Sequence, residues 1–213
     1  MSRGPLRAAF HSLGWELMAY ARHCWGAWRA SGVDFSGRRL NAGCGKHPLP
    51  DWIKADIRPG TEVVFDLRRR WPIPNGQLKC VRLEHTLEHL SYPTEALHAL
   101  SEALRVLQSG GEVRVGVPDT AAVLHAYARG AGADYFRLAK ELWHPPDVQL
   151  PIEHVNYHFR DRHGEHLFAY DAEALANLLG RAGFVRVQHA GRDAAIDPES
   201  REAGTIRLVG IKP

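Results

Sequence analysis

A short apolar run that ends in a Gly-x-Gly turn gives the clearest indication of the fold of this chain. Its residues are Arg38-Arg39-Leu40-Asn41-Ala42-Gly43-Cys44-Gly45. The run predicts the first strand of an α/β sheet of the nucleotide-binding type. Glycine has no Cβ, so backbone N–H groups at the end of such a strand can come within hydrogen-bond distance of a ligand. Because these sheets bind small molecules at the carboxyl ends of their strands, we expect a ligand site around Gly43 and Gly45.

Two carboxylates follow at the ends of the next two predicted strands. Asp56 lies near the end of the segment Ile53–Ile57, and Asp66 lies near the end of Val63–Leu67. A carboxylate at this edge of the sheet can accept hydrogen bonds from the two hydroxyls of a ribose or from an adenine amino group. The pattern therefore favours a ligand that contains a nucleoside.

Further segments accompany the glycine turn in a fixed order. They are Trp52-Ile53-Lys54-Ala55-Asp56-Ile57, Asp66-Leu67, His85-Thr86-Leu87-Glu88-His89-Leu90, Arg105-Val106-Leu107-Gln108-Ser109-Gly110-Gly111 and Val117-Pro118-Asp119. With these residues the chain resembles the class I S-adenosylmethionine (SAM)-dependent methyltransferases, and within them the small type 11-like group that is often associated with glycan and secondary-metabolite pathways. The resemblance covers residues 38–119 well and residues 165–212 loosely.

The resemblance implies SAM as the cofactor and assigns residues to it. Gly43 and Gly45 would hold the methionine end, Asp56 the ribose hydroxyls, and Asp66 with Leu67 the adenine. The rest of the predicted cofactor set is Asn41, Ala42 and Glu84. Asp56 and Asp66 also have a structural interpretation, since an acid at a strand end can cap the backbone there.

The same glycine turn argues against a dinucleotide cofactor. A dehydrogenase loop reads Gly-x-Gly-x-x-Gly, and its third glycine allows the following helix to pack closely on the strand. Pro48 stands at that position. SAM has no pyrophosphate and requires only the backbone amides, an acceptor for the ribose hydroxyls and a slot for adenine, so the turn suits SAM better than NAD(P).

The resemblance implies a Rossmann-like α/β fold with a mostly parallel sheet and an antiparallel C-terminal hairpin. Residues 46–52 contain two prolines, and residues 58–62 are equally short, so neither segment has room for the usual crossover helix. We therefore expect the first half of the sheet to have fewer crossover helices, with backbone amides as the main polar cradle. The predicted helices and later strands are helices over Pro93–Leu107, Ala121–Ala128, Tyr135–Trp143 and Asp171–Gly183, and strands over Cys80–His85, Glu112–Val117, Phe184–Val187 and Thr205–Ile211.

Residues 5–30 carry apolar side chains at steps of three and four, which predicts a helix. One interpretation is a helix that packs on the sheet or caps the cofactor site. The other is a surface for a partner or a membrane, because Trp15, Trp25 and Trp28 alternate with arginines. We divide the chain into a helical cap and linker over 1–37 and a methyltransferase domain over 38–213, in which residues 120–168 form a lid or substrate insertion.

Methyl transfer needs alignment of the acceptor more than a nucleophilic side chain. If the acceptor is a hydroxyl, a neutral imidazole is a suitable base for its proton. His85 is the first candidate, followed by His154 and His158; a structural hydrogen bond remains an equal interpretation of His85. Histidines and acids also cluster over residues 153–166, at Glu153, His154, His158, His163, Glu165 and His166. Because residues 158–163 are predicted to form a loop and no cysteine joins them, we expect structural or substrate-contacting histidines rather than a metal site, with an acid/base role and metal binding as the alternatives. We expect Glu88 and His89 to be structural.

The composition indicates the class of protein and the compartment in which we expect it. The 213 residues carry a formal net charge of +3, and hydrophobic residues make up 45% of them, as in an ordinary globular domain. Three cysteines without metal-like spacing favour a reducing compartment, and we expect the cytoplasm. Polar residues interrupt the N-terminal apolar stretch, so we expect neither a secretion signal nor a membrane span.

The leading functional hypothesis is SAM-dependent methylation of an oxygen or nitrogen atom on a small-molecule or sugar-containing acceptor. An alternative is a methyltransferase-like binding or scaffold subunit, which the departures from the family pattern at Leu78-Lys79 and Gln108-Ser109 motivate. A third hypothesis, a nucleic-acid methyltransferase, rests on the N-terminal arginines and on the run Arg68-Arg69-Arg70, for which a solvated loop is the other interpretation. The net charge is small and the Asn/Asp-Pro-Pro-Tyr/Phe signature of base-directed enzymes is missing, so no nucleic-acid partner is expected. The sequence does not determine the oligomeric state.

Overall fold

A computed structural model describes residues 5–130, 133–142, 145–160, 165–199, 202 and 204–213. Trp143 and His163, which the sequence assigned to a helix end and to the histidine cluster, lie outside these residues. The helices are α1 (Pro5–Ala30), α2 (Thr94–Val106), α3 (Thr120–Ala128), α4 (Ala133–Leu142), α5 (Pro151–Arg160) and α6 (Ala172–Ala182), and a 3-10 turn spans Leu87–His89. The strands are β1 (Arg39–Ala42), β2 (Trp52–Asp56), β3 (Val63–Val64), β4 (Leu78–Glu84), β5 (Leu107–Pro118), β6 (Val185–His189) and β7 (Thr205–Ile211).

The strands form one seven-stranded sheet in the order β3-β2-β1-β4-β5-β7-β6. Strands β1 to β5 pair in parallel, and β7 is antiparallel to both β5 and β6. This is the Rossmann-like fold with an antiparallel C-terminal hairpin that the sequence predicted. Residues 43–51 and 57–62 contain no helix, so the predicted reduction in crossover helices is also confirmed.

One face of the sheet carries the hydrophobic core. Inward side chains of the central strands, among them Leu40, Val81 and Val113, are fully buried there with residues of α2 and α6. Helix α6 begins and ends at ordinary capping residues. Asp171 accepts a hydrogen bond from the Ala174 amide at its start, and Gly183 ends it with a φ of +103°. These helices leave the carboxyl ends of β1 and β4 open.

The opposite face of the sheet is polar. The registers place Asn41 of β1 beside Arg82 of β4, and Arg82 beside Arg114 of β5. In an ordinary doubly wound sheet, crossover helices would cover this face with apolar side chains. Here the loop over residues 190–199 covers part of it through its polar groups, since Arg82 and Arg114 both bind Asp197.

Helix α1 packs against β3 at the edge of the sheet. Glu16 of α1 binds the guanidinium of Arg68, with contacts of 2.8 and 3.0 Å, and the Asp66 amide donates to Nδ1 of His23 at 3.3 Å. Burial lowers the pKa of His23, which keeps this ring a good acceptor. The helix predicted over residues 5–30 is therefore confirmed, and it docks on the segment that follows β3.

Two local predictions are wrong. Residues 158–160, predicted as a loop, belong to α5, which starts at Pro151 and whose Glu153 carboxylate accepts from the Gln149 and Leu150 amides. A proline at the first turn and a capping acid both indicate the start of a helix. The prediction of a loop gave more weight to the many histidines in this segment than to these two residues. Strand β5 begins at Leu107 rather than Glu112, because Leu107 already pairs with Leu78 of β4. A register shift separates this pair from the next one, Cys80 with Glu112.

Candidate active site

A cavity of about 660 Å³ lies at the carboxyl edge of the sheet. Gly43, Gly45, Asp56, Asp66 and Leu67 line it, together with His85 after β4. Trp15 and Ala19 of α1 close one side, and Glu165 and Leu167 form part of another. The volume lies within the range of roughly 300–1,000 Å³ that is usual for small-molecule sites.

The two glycines of the first turn are needed for different reasons. Gly43 has a φ of +68°, and a Cβ there would lie 2.6 Å from the Thr86 side chain. Gly45 has a φ of +53°, but a Cβ there would meet no atom within 4 Å. The turn thus brings bare backbone to the wall of the cavity, as the sequence predicted for a ligand cradle.

The Asp56 carboxylate holds the turn in this shape. Its Oδ2 accepts from the Gly45 amide and its Oδ1 from the Arg58 amide, both at 2.9 Å. Each carboxylate oxygen has a second lone pair, so these bonds do not prevent Asp56 from accepting a ligand hydroxyl in addition.

The Asp66 carboxylate accepts more hydrogen bonds within the protein than the Asp56 carboxylate does. Arg68 donates to it through its backbone N–H, Nε and Nη2, at 2.8 to 3.1 Å. Burial would raise the pKa of Asp66, but the hydrogen bonds and charge of Arg68 hold the pKa below its usual value. Asp66 is therefore ionised at neutral pH, and it organises the segment that carries Leu67.

A second cavity, of about 640 Å³, adjoins the first. Both are lined by Gly43, Gly45, Arg58 and His85. Asn41 and Glu84 line only the second cavity, together with the two glycines, so the structure separates them from Asp56, Asp66 and Leu67. Ala42 is fully buried in β1 and lines neither cavity.

The second cavity lies on the polar face and has charges of both signs. Lys46, Arg58 and Arg192 contribute positive groups to its wall. Below them is an ion cluster whose members are almost completely buried. In it Asp197 binds Arg82 at 3.0 Å and Arg114 at 2.6 Å, and Glu84 binds Arg207 at 3.0 Å.

His85 stands where the two cavities meet. Its backbone has a φ of +50°, a conformation that few residues other than glycine and asparagine adopt without cost. Its Nε2 lies 3.0 Å from the Thr205 hydroxyl, and its Nδ1 lies 3.3 Å from Oε1 of Glu88. Burial would raise the pKa of Glu88, but the polar contact with His85 and the neighbouring imidazoles hold the pKa below its usual value. A carboxylate, an imidazole and a hydroxyl are thus aligned beside the junction.

With this geometry in view, a family model described as a methyltransferase domain matches residues 16–189, most of the chain. The chain belongs to this methyltransferase family. Its cofactor is SAM, and the glycine turn, the acid at the end of β2 and a cavity of suitable size fit that molecule.

Solved structures agree with the fold of this methyltransferase. A chain from the complex of the Haloferax volcanii Trm112 methyltransferase activator with a methyltransferase has a TM-score of 0.51 and 14% identity, with 100% of both chains covered. The SAM-dependent methyltransferase SibL has a TM-score of 0.50 and 16% identity over 99% of this chain and 60% of its own.

One curated protein is similar over a short stretch. A 37.1 kDa protein of a Streptomyces fradiae transposon, Tn4556, is 36% identical over 61 residues. The aligned stretch covers 29% of this chain and only 17% of that protein.

Two of the predicted catalytic residues do not reach either cavity. His154 and His158 are buried in α5, where His154 contacts the ring of Phe136 and Nε2 of His158 lies 3.3 Å from the Tyr135 hydroxyl. Burial lowers the pKa of His158 to about 4, so this ring is neutral at pH 7. Of the predicted catalytic residues of the methyltransferase, His85 alone lines the cavities described above.

Several residues at the site were not predicted from the sequence. Thr205, Arg192 and Asp197 come from the C-terminal hairpin and its loop, and Glu88 was assigned a structural role. Nothing in the local sequence around Thr205, Arg192 and Asp197 indicates a site, because pairing of β7 with β5 brings the hairpin and its loop close to β4. Among the described helices, none has the length and apolar character needed to cross a membrane.

Proposed function

We propose that this methyltransferase transfers a methyl group from SAM to an oxygen or nitrogen atom of a small polar or sugar-containing acceptor. The observation that carries the proposal is the meeting of two cavities at Gly43, Gly45 and His85. One cavity has the acids expected for an adenosine, the other has charges of both signs, and a base candidate stands between them.

The adenosine would occupy the first cavity. Asp56 would accept from the ribose hydroxyls with its remaining lone pairs, and the segment Asp66-Leu67 would bound the adenine. Since Arg68 already occupies the Asp66 carboxylate, its backbone and Leu67 are better placed than that side chain to contact the base. Trp15 of α1 lines the same cavity and would shield the nucleoside from water.

The methionine end would extend past the glycine turn into the second cavity. A zwitterionic amino acid needs partners of both signs, and the wall offers Lys46, Arg58 and Arg192 beside Glu84 and Asn41. In the absence of a crossover helix after β1, these cations would replace the helix N-terminus that usually favours an anion. Ala42 would act only by positioning Gly43.

SAM supplies a methyl group already activated by the positive charge on sulfur. The chain has to align the acceptor in line with the carbon–sulfur bond and to accept the proton that the acceptor loses. The carbon–sulfur bond breaks with its electron pair remaining on sulfur, and the acceptor atom forms the new bond to carbon. His85 would take the proton, and Glu88 beside Nδ1 would stabilise the resulting imidazolium.

Calorimetry with SAM tests the cofactor site. We expect the wild type to bind SAM and Asp56→Ala to bind it with a loss of about 1–3 kcal/mol, because the ribose loses an acceptor. Asp147→Ala, at an exposed site outside both cavities, is the matched control and should bind like the wild type. Unchanged affinity in Asp56→Ala would overturn the ribose assignment.

Methyl transfer from labelled SAM to a panel of hydroxylated and amine-bearing acceptors tests the chemistry. His85→Asn tolerates the positive φ and removes the base, so we expect turnover to fall by about 100-fold or more while SAM affinity is retained. Wild-type turnover in this variant would remove His85 from catalysis.

A second candidate function is a methyltransferase-like subunit that acts by binding a protein partner. The observation in its favour is the exposed apolar surface of α1, where Phe10 and Trp28 are 73% and 75% exposed. The Haloferax chain was solved with an activator protein, which is compatible with this alternative. A folded protein without affinity for SAM would favour this binding role over catalysis.

The nucleic-acid alternative has less support, because Arg68 binds Glu16 and Asp66 and Arg69 packs over Tyr20.

A further inference from the structure

We propose that Glu88, His89 and His166 form a binding site for a divalent first-row transition-metal ion. One carboxylate oxygen of Glu88 and one ring nitrogen of each histidine lie within 4.8 Å of one another. Two imidazoles and one carboxylate are a common ligand set for such ions. The sequence had predicted no metal and a structural role for Glu88 and His89.

Backbone pairing explains how a distant histidine reaches this place. The carbonyl of Glu88 accepts from the Leu167 amide at 2.7 Å, which ties the 3-10 turn Leu87–His89 to the segment after α5. His166 therefore lies against the turn, with its ring 5.1 Å from the ring of His89 between centroids. The three side chains converge because two segments of backbone are held together.

Both histidines are oriented by backbone carbonyls. Nδ1 of His89 lies 3.0 Å from the carbonyl oxygen of Glu165, and Nδ1 of His166 lies 3.0 Å from that of His158. A carbonyl can only accept, so in each neutral ring Nδ1 carries the hydrogen and Nε2 carries the lone pair. Metal-binding histidines are typically fixed in this way, since the second nitrogen donates to a carbonyl or carboxylate.

Glu88 supplies an observation that is independent of the histidines. Its side chain is 2% exposed, and within the described residues neither carboxylate oxygen accepts a hydrogen bond of good geometry. Its nearest basic contact is Nδ1 of His85, 3.3 Å from Oε1. A buried carboxylate with so few partners is costly, and a cation bound by its other oxygen would offset that cost.

The ligand atoms indicate which metal ions the site would bind. Mg²⁺, Ca²⁺ and Mn²⁺ prefer oxygen ligands, whereas imidazoles suit Zn²⁺, Cu²⁺, Fe²⁺ and Ni²⁺. Ligand atoms around tetrahedral zinc lie roughly 3.4 Å apart, given bonds of about 2.1 Å. The ligand atoms of the triad, which lie within 4.8 Å of one another, would approach by up to about 1.4 Å on binding such an ion.

The site lies beside the proposed reaction centre. His89 and Glu165 line the first cavity together with His85, and three protein ligands leave positions open for a further oxygen or nitrogen atom. An acceptor hydroxyl bound there would lose its proton more readily. This role rests on the proposed function, whereas binding of the ion itself does not.

Calorimetric titration of the chelator-treated full chain with Zn²⁺ tests the site, with Mg²⁺ as the comparison ion. We expect one Zn²⁺ per chain and much weaker binding of Mg²⁺. His89→Ala and His166→Ala should each weaken Zn²⁺ binding by about 100-fold or more, because each removes a ligand. His189→Ala removes an exposed histidine of β6 and is the matched control, which should bind like the wild type.

Glu88→Gln tests the carboxylate, with circular dichroism as the check that the variant folds. If that variant unfolds, His89→Ala decides, because His89 is exposed and its loss is easily accommodated. Zn²⁺ binding that is absent from the wild type, or equal in His89→Ala and His189→Ala, would overturn the site. SAM affinity measured on the same chelator-treated protein separates this result from a failure of the proposed function.

Discussion

Gly43 and Gly45 lie two residues apart in one turn, yet the structure constrains them differently. Both adopt positive φ, which costs a residue with a Cβ about 1–2 kcal/mol. At Gly43 the Thr86 side chain also fills the space that a Cβ would need, whereas at Gly45 that space is open. At the scale of single residues, this difference can be measured.

We expect Gly43→Ala to lower the free energy of unfolding by about 2–4 kcal/mol, the sum of the backbone cost and of overpacking against Thr86. Gly45→Ala should lose only about 1–2 kcal/mol, from the backbone alone. Urea denaturation of both variants checks this order. Equal losses would show that Thr86 moves aside and that only φ matters at this turn.

At the scale of elements, the docking of α1 depends on a close approach to β3. A Cβ on Gly26 would lie 1.7 Å from the Val64 carbonyl oxygen, so the helix backbone packs directly on the strand backbone. Arg68 reinforces this contact by binding both Glu16 of α1 and Asp66. Because Trp15 and Ala19 line the first cavity, the position of α1 also shapes the proposed adenosine site.

We expect Gly26→Ala to displace α1 and to destabilise the protein by about 1–3 kcal/mol, because the added methyl group must push the helix away from Val64. Hydrogen exchange of the α1 amides should quicken, and SAM affinity should fall. Urea denaturation and exchange mass spectrometry measure the two effects.

Gly14→Ala is the matched control for that change. A Cβ there meets no atom within 4 Å, so the substitution should stabilise the helix by about 0.5–1 kcal/mol. If both variants behave alike, close packing at Gly26 is not what holds α1.

At the scale of the whole molecule, a buried ion cluster stands where crossover helices would ordinarily cover the sheet. Arg82, Arg114 and Arg207 meet the carboxylates of Asp197 and Glu84, and Asp197 comes from the loop over the polar face. Gly116 makes room for this arrangement, since a Cβ there would lie 2.0 Å from Oε2 of Glu84. The cluster therefore joins the C-terminal hairpin to β4.

We expect Asp197→Asn to destabilise the protein by about 3–5 kcal/mol, because it leaves buried guanidinium groups without their shared counter-ion. Glu62→Gln breaks the exposed Arg38–Glu62 pair and should lose less than about 1 kcal/mol. Urea denaturation of both variants tests the contrast. A loss in Asp197→Asn no larger than in Glu62→Gln would mean that water replaces the carboxylate at little cost.

The same residue makes stability depend on pH. Burial would raise the pKa of Asp197, but the Asp193 amide and the guanidinium groups of Arg114 and Arg82 hold the pKa below its usual value. Because the pKa is lower in the folded than in the unfolded state, the stabilisation is complete at neutral pH and is lost progressively below about pH 5. The unfolding free energy of Asp197→Asn should therefore vary less with pH over that range, as denaturation at several pH values would show.

The glycine turn, most strand and helix positions and the family could all be predicted from the amino-acid sequence. These features depend on residues close in the chain, where periodicity, turn residues and capping groups act directly. The sequence was less informative for α5. Its proline and capping glutamate indicate a helix, but the many histidines around them favoured the prediction of a loop.

Only the tertiary structure decided which side chains meet. His85 and Thr205 are 120 positions apart, Arg82 and Asp197 are 115 apart, and His89 reaches the carbonyl of Glu165 across 76. Contacts of this kind depend on strand order, on register and on how a loop covers a face of the sheet, none of which is encoded in local spacing. The glycine turn could therefore be predicted from the chain, whereas the ion cluster and the proposed Glu88, His89 and His166 site required the fold.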